Sequence, residues 1–129
     1  MFGYNVQGVN EYSRVGLETG VVSANPHRLI VMLFDGAILA CKNALPHIEA
    51  KAYAEKGAMI SKAIMIIESG LKASLDKKAG GEIAESLDAL YDYMSNRLYL
   101  ANLQNQQAPV NEVIKLLIEL RSAWEGMQH

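Results

Sequence analysis

The feature that most constrains the fold is a long apolar stretch over residues 25–45. It opens with an asparagine and a proline, which are favoured at the N-cap and first positions of a helix. The charged side chains in it, Arg28, Asp35 and Lys42, recur at seven-residue spacing, so they share one narrow stripe. The apolar remainder is wider than one neighbouring helix can cover. The stretch is therefore either the central helix of a bundle or partly a surface for a partner.

Composition excludes several classes of protein. The chain has 129 residues, of which 50% are hydrophobic and 20% charged, so we expect one folded domain with a substantial core. The net charge is −2 and no basic cluster occurs, which argues against nucleic-acid binding. No apolar run approaches the ~20 residues of a membrane span, and the N-terminus does not resemble a signal peptide. We therefore expect a cytoplasmic protein. Cys41 is the only cysteine, and we expect its side chain to be buried as a small apolar group.

The pattern along the chain predicts an all-α fold, an antiparallel up-down four-helix bundle with an irregular N-terminal segment packing on it. Residues 1–24 contain four glycines and scattered apolar side chains without a sustained period, and we interpret them as this N-terminal cap segment. Pro46 marks either the end of the first helix or a kink. Residues 25–129 form the predicted bundle, with helices at about 26–45, 52–75, 82–104 and 109–126.

Helical spacing also predicts which residues are buried in the later helices. In the third helix the predicted core stripe consists of Ile83, Leu87, Leu90, Met94, Leu98 and Ala101. Three tyrosines of this helix, Tyr91, Tyr93 and Tyr99, lie outside the predicted stripe. The stripe of the fourth helix consists of Val110, Val113 or Ile114, Leu117, Leu120, Trp124 and Met127.

No constellation for catalysis or metal binding is evident in the sequence. The Glu-x-x-His pairs that di-iron bundles use are missing, and the three histidines, His27, His47 and His129, are far apart. A phosphorelay module would need an exposed histidine in the middle of a helix, which His27 and His47 do not provide. We therefore expect no metal, no cofactor and no enzymatic activity.

The first two helices carry more apolar surface than the bundle is expected to bury. Contiguous apolar surface usually marks an interaction site, and a groove between helices suits an amphipathic partner helix. Two alternatives account for the same excess. One is deep burial in the core, and the other is a homodimer in which the first helix packs against its twin.

Several stretches, taken together and in order, resemble a known family. Their order and spacing are similar to those of the flagellar secretion chaperone FliS family, and the resemblance extends over about residues 9–126. The stretches are Tyr12, residues 23–37, residues 61–76, residues 90–98 followed by Ala101 and Asn102, and residues 113–124.

This resemblance implies a function as well as a fold. Proteins of this family are cytoplasmic helical bundles that bind the disordered C-terminal region of flagellin, prevent premature polymerisation and deliver the subunit to the flagellar type III export gate. They use no cofactor. The resemblance implies that Tyr12 anchors a segment shielding the client site. The predicted client contacts are Leu29, Met32, Leu33, Phe34 and Met65.

Overall fold

The structure is a computed structural model that describes residues 25–127. Its helices are α1 (Pro26–Glu49), α2 (Tyr53–Met65), α3 (Lys77–Gln104) and α4 (Ala108–Gly126), and a π-helical segment (Ile66–Lys72) continues α2. The helices pack on one another, and the described residues contain no strand. The predicted all-α four-helix bundle is confirmed. The N-terminal segment of residues 1–24 lies outside the described residues, so its boundary stays a prediction.

Contacts between helices give the topology. On α1 and α4, His27 contacts Trp124 while Asp35, two turns later, contacts Arg121, so the two helices are antiparallel. On the second and third helices, Lys56 reaches the end of α3, and the later Lys72 reaches Asp92 near its middle, so these are antiparallel as well. Helix α1 packs against α2, the π-helical segment and α4, and its backbone does not come within 8 Å (Cα to Cα) of α3, which lies diagonally opposite.

Helix α1 begins as predicted and ends later than predicted. The side chain of Asn25 accepts a hydrogen bond from the backbone N–H of Arg28 at 2.8 Å, which caps the first turn. The helix runs through Pro46 to Glu49. Pro46 lies on the exposed face, where water can satisfy the carbonyl that loses its helical partner. Lys51, with φ of 56°, then ends the helical path.

The apolar stretch that dominates the sequence is the central helix of the bundle. Eleven of the residues of α1 are buried, among them Phe34 and Cys41, which are fully inaccessible. Burial raises the pKa of the Cys41 thiol to about 12. The length and composition of α1 would also suit a membrane span, but its packing against two helices and the π-helical segment accounts for its apolar character. Core burial thus explains most of the apolar excess in α1.

The second predicted helix is divided in two. The segment after Met65 is π-helical, and the N–H of Ala73 bonds to the carbonyl of Glu68, five residues earlier, at 3.1 Å. The hydroxyl of Ser74 donates to the carbonyl of Gly70 at 2.6 Å at the end of the segment. The wider turn directs Glu68 towards α3, where it accepts a hydrogen bond from Ser95. No local pattern in the sequence indicates this change from α-helical to π-helical hydrogen bonding.

Helix α3 contains a break that sets the rotation of its longer part. Asp76 caps a first turn by accepting from the N–H of Ala79 at 3.1 Å, and Gly81 then takes φ of 54° and ψ of −131°, a conformation that favours glycine. Beyond this break the buried residues are Ala84, Leu87, Tyr91, Met94, Ser95, Leu98 and Ala101. The core stripe therefore passes through Tyr91, which was predicted to lie outside it. Ile83 is exposed, so its predicted core position is wrong, whereas Leu90 is partly buried and packs against the core.

Candidate client-binding surface

The structure separates the predicted client contacts into two groups. Leu29, Leu33 and Phe34 are buried in the core between the helices. Met32 is half-buried at the edge of that core, and Met65 is 52% exposed on the outer face of α2. Tyr12, the predicted anchor of the shielding segment, lies outside the described residues. The five predicted contacts among the described residues therefore do not line one accessible groove.

The rotation of α3 places apolar side chains on the side that faces α4. Ile83 is 60% exposed and Leu90 is half-buried, and both share their face of α3 with Tyr93 and Arg97 at helical spacing. Arg97 donates to Glu112 of α4, which shows that this face borders α4. The side chains that sequence reasoning assigned to the core are thus the wall of a surface groove.

Helix α4 carries partly buried apolar side chains beside this part of α3. Leu116 and Leu120 follow Glu112 at four-residue intervals, so they lie on the same side of α4, and both are only partly buried against the core. Since the helices are antiparallel, these leucines lie level with the part of α3 that precedes Tyr93. We call the surface between these apolar side chains of α3 and α4 the α3–α4 groove.

The α3–α4 groove has a depression at the level of Ile83 and hydrogen bonds between the two helices at the level of Arg97. On its α3 side the surface forms a depression of about 320 Å³, and its lining is Glu82, Ile83, Ser86, Leu87 and Leu90. Glu112 closes the other end, because it accepts from the hydroxyl of Tyr93 at 2.6 Å and from Nε of Arg97 at 2.7 Å. An apolar floor with polar groups at its rim is suited to one face of an amphipathic helix.

Acid is expected to weaken the hydrogen bonds of Glu112, which join α3 and α4 at one end of the groove. The hydrogen bond from Tyr93, followed by that from Arg97, lowers the pKa of Glu112 below its ordinary value of 4.5. A carboxylate with a lowered pKa contributes stability above its unfolded-state pKa, and this contribution is lost as the pH falls through its folded-state pKa. Between about pH 5 and pH 3, the thermal midpoint of the native protein should therefore fall more than that of Glu112→Gln.

Glu119→Gln is the matched control for this measurement, because Glu119 is exposed on the same helix and forms no ion pair with other described residues. The thermal midpoint of Glu119→Gln should change with pH as that of the native protein does. Parallel pH curves for Glu112→Gln and the native protein would contradict the assigned role of Glu112.

His27 has a structural role at the end of the bundle. Its ring stacks on Trp124 with centroids 4.8 Å apart, and its Nε2 lies 2.9 Å from the carbonyl oxygen of that residue. In return, the indole Nε1 of Trp124 donates to the carbonyl of His27 at 2.9 Å. These contacts, which we call the latch, join the start of α1 to the end of α4.

Among residues 25–127, no group of three or more metal-ligating side chains is close enough to hold an ion.

Two further sets of exposed apolar side chains lie outside the groove. Leu39 on α1 and Ile118 on α4 are 59% and 42% exposed. The start of α2 and the end of α3 expose Tyr53, Tyr99 and Leu103, of which Leu103 is 84% exposed. These residues are separate from the depression in α3 and do not enlarge it.

The geometry defines a small all-α bundle that presents an apolar groove, the kind of protein that receives an amphipathic segment. A family model described as flagellar protein FliS matches residues 8–129. The chain therefore belongs to the FliS family of flagellar secretion chaperones, and the resemblance found in the sequence is confirmed.

Curated relatives share this family membership over most of their length. The flagellar secretion chaperone FliS of Salmonella typhimurium is 48% identical over 122 residues, which cover 95% of this chain and 90% of the relative. The flagellar secretion chaperone FliSB of Pseudomonas aeruginosa is 42% identical over 126 residues, with 98% and 99% covered. The FliS of Escherichia coli is 40% identical over 122 residues, with 95% and 90% covered.

Proposed function

We propose that this protein is a cytoplasmic export chaperone for flagellin. It binds the disordered C-terminal region of flagellin in the α3–α4 groove, prevents premature polymerisation and delivers the subunit to the flagellar type III export apparatus through its export gate. It acts by binding, without catalysis or a cofactor. The observation that carries the proposal is an open, largely apolar depression on α3, beside partly buried leucines of α4, in a member of the FliS family.

The groove suits a client that folds as it binds. A disordered segment loses conformational entropy on binding and therefore needs a large apolar surface in return. Ile83, Leu90, Leu116 and Leu120 offer such a surface along about two to three helical turns. The polar closure at Glu112 provides hydrogen-bonding groups at one end, which would fix the direction and register of the bound helix.

In this proposal, Tyr12 anchors the N-terminal segment, which shields the client-binding surface. The latch between His27 and Trp124 places the start of α1 beside the end of α4, on the side of the bundle where the α3–α4 groove is open. The chain from Tyr12 to Asn25 can span up to about 40 Å when extended, enough to reach the groove from that point. In the absence of client this segment would cover apolar surface, and the client would displace it.

The predicted contacts on the first two helices have different parts in the proposal. Met32 and Met65 keep accessible surface and extend the contact area beyond the groove. Leu29, Leu33 and Phe34 are buried, so they support client binding by holding α1 in place. A client that wraps around the bundle would meet the exposed methionines after it leaves the groove.

Calorimetry with a flagellin C-terminal segment tests the proposal. We expect binding with a dissociation constant of about 1 μM or tighter and a negative heat-capacity change, the sign of apolar burial. Tyr12→Ala should bind more tightly, because no shield has to be displaced. An N-terminal flagellin segment of equal length is the control and should not bind. A homodimeric helical adaptor without a flagellin client is the alternative, and the absence of heat with the C-terminal segment would favour it.

A further inference from the structure

Glu82 is the only charged side chain among those that line the depression in α3. It is exposed, and none of the ion pairs among residues 25–127 involves it. The rest of the lining is apolar except for the hydroxyl of Ser86. Because a carboxylate has capacity for several donors, Glu82 can accept from a group that enters the depression.

A second carboxylate without an ion pair to the other described residues lies on the α4 side of the groove. Glu119 is exposed and follows Glu112 by two turns, so both lie on the same side of α4 as Leu116. The hydrogen bond between Arg97 and Glu112 shows how the two antiparallel helices are aligned. Two turns from that bond, Glu119 therefore lies level with Leu90, a lining residue of the depression.

The other charges of the groove do not offset these two carboxylates. Arg97 and Glu112 neutralise each other across the two helices. Lys115 is exposed on the outer side of α4, about 100° around the helix from the groove-facing leucines. On the groove-facing sides of α4 and of α3 beyond its break, the charges left for a bound segment are therefore Glu82 and Glu119.

These two positions define the kind of helix that the groove fits. When an amphipathic helix lays its apolar stripe in the groove, residues on the two flanks of the stripe come beside Glu82 and Glu119. A lysine or arginine suits both places, because its aliphatic stem packs on apolar side chains such as Ile83 while its charged end reaches the carboxylate. Eight residues of α3 separate Glu82 from the level of Glu119, about 12 Å along the groove. The fitting helix therefore carries basic residues about two turns apart, one on each flank.

We propose that Glu82 and Glu119 select the client by charge. The groove accepts an amphipathic helix with basic residues on both flanks of its apolar stripe, and it rejects a helix with acidic residues there because like charges would meet. This inference rests on the proposed function of the groove as the client site. It adds a criterion that apolar contact does not supply, since apolar side chains alone would accept any stripe of the right width.

Two synthetic peptides of about 18 residues, or five helical turns, provide a direct test. They share one apolar stripe and differ only in two flanking residues, two turns apart, which are lysines in one peptide and glutamates in the other. Calorimetry should show that the native protein binds the lysine peptide at least about tenfold more tightly, with a smaller difference in high salt. The double variant Glu82→Lys with Glu119→Lys should prefer the glutamate peptide.

The double variant Glu55→Lys with Glu85→Lys is the matched control. Both residues are exposed and form no ion pair among the described residues, so the net charge changes equally while the groove keeps its carboxylates. The control should still prefer the lysine peptide. Equal affinity of the native protein for the two peptides, no binding of either, or an equal change of preference in the two double variants would overturn charge selection.

The flagellin C-terminal segment, measured in parallel, separates this inference from the proposed function. If flagellin binds and the peptides show no preference, charge selection is wrong and the function stands. If the lysine peptide is preferred, the preference is reversed only by the groove variant, and flagellin does not bind, charge selection stands and the choice of flagellin as client is wrong.

Discussion

Replacement of Trp124 by alanine is expected to destabilise the bundle by about 3–5 kcal/mol, the cost of removing a large buried aromatic side chain. The indole is almost fully buried, stacks on His27 and donates to the backbone carbonyl of that residue. Its loss would leave a cavity and remove the hydrogen bond to the His27 carbonyl where α1 and α4 meet. The thermal midpoint, measured by circular dichroism, should fall by roughly 10–20 °C.

Trp124→Phe separates packing from hydrogen bonding at this site. Phenylalanine keeps an aromatic surface for His27 but has no donor for its carbonyl, so we expect a smaller loss of about 1–3 kcal/mol. Leu103→Ala, at an exposed position, should change stability by less than about 0.5 kcal/mol. If Trp124→Ala melted within a few degrees of the native protein, the latch would not contribute to the stability of the bundle.

Replacement of Ile83 by glutamate is expected to lower the affinity for the flagellin C-terminal segment by more than about tenfold. A carboxylate on the α3 wall would have to lose its hydration beneath the apolar face of the client, which is costly without a partner. Ile83 is largely exposed in the free protein, so the thermal midpoint should stay within a few degrees of the native value. Calorimetry gives the affinity, and circular dichroism verifies the fold.

Leu103→Glu is the matched control, since it places the same charge on the same helix at a position remote from the groove. Its affinity for the client should be that of the native protein. Equal losses in the two variants would point to a general effect of charge. An unchanged affinity in Ile83→Glu would show that the client binds elsewhere on the bundle.

The sequence was sufficient to predict the fold because its signals are local. The cap at Asn25 and the long apolar row of α1 each predict a helix, and the structure contains it. The four-helix architecture follows from the number of such segments and their short connections. The end of α1 was predicted too early, because a proline on an exposed face is tolerated and Pro46 lies on such a face.

The site was harder to predict because it depends on the rotation of one helix. Periodicity favoured Ile83 and Leu90 as core residues, since isoleucine and leucine are more apolar than Ala84 and Tyr91. The break at Gly81 and the packing against α2 and α4 select the face through Ala84 and Tyr91 instead, which turns Ile83 outward. Surplus apolar residues were expected on the first two helices, whereas the groove lies on the third and fourth.

Hydrogen exchange on the full chain, alone and with the flagellin C-terminal segment, tests the central claim most directly. If the client occupies the α3–α4 groove, amide protection should rise around Ile83–Leu90 and Leu116–Leu120, and peptides containing Tyr12 should exchange faster as the shield is displaced. Protection confined to α1 or α2, or no change in the groove peptides at saturating client, would contradict the assignment of flagellin to this groove.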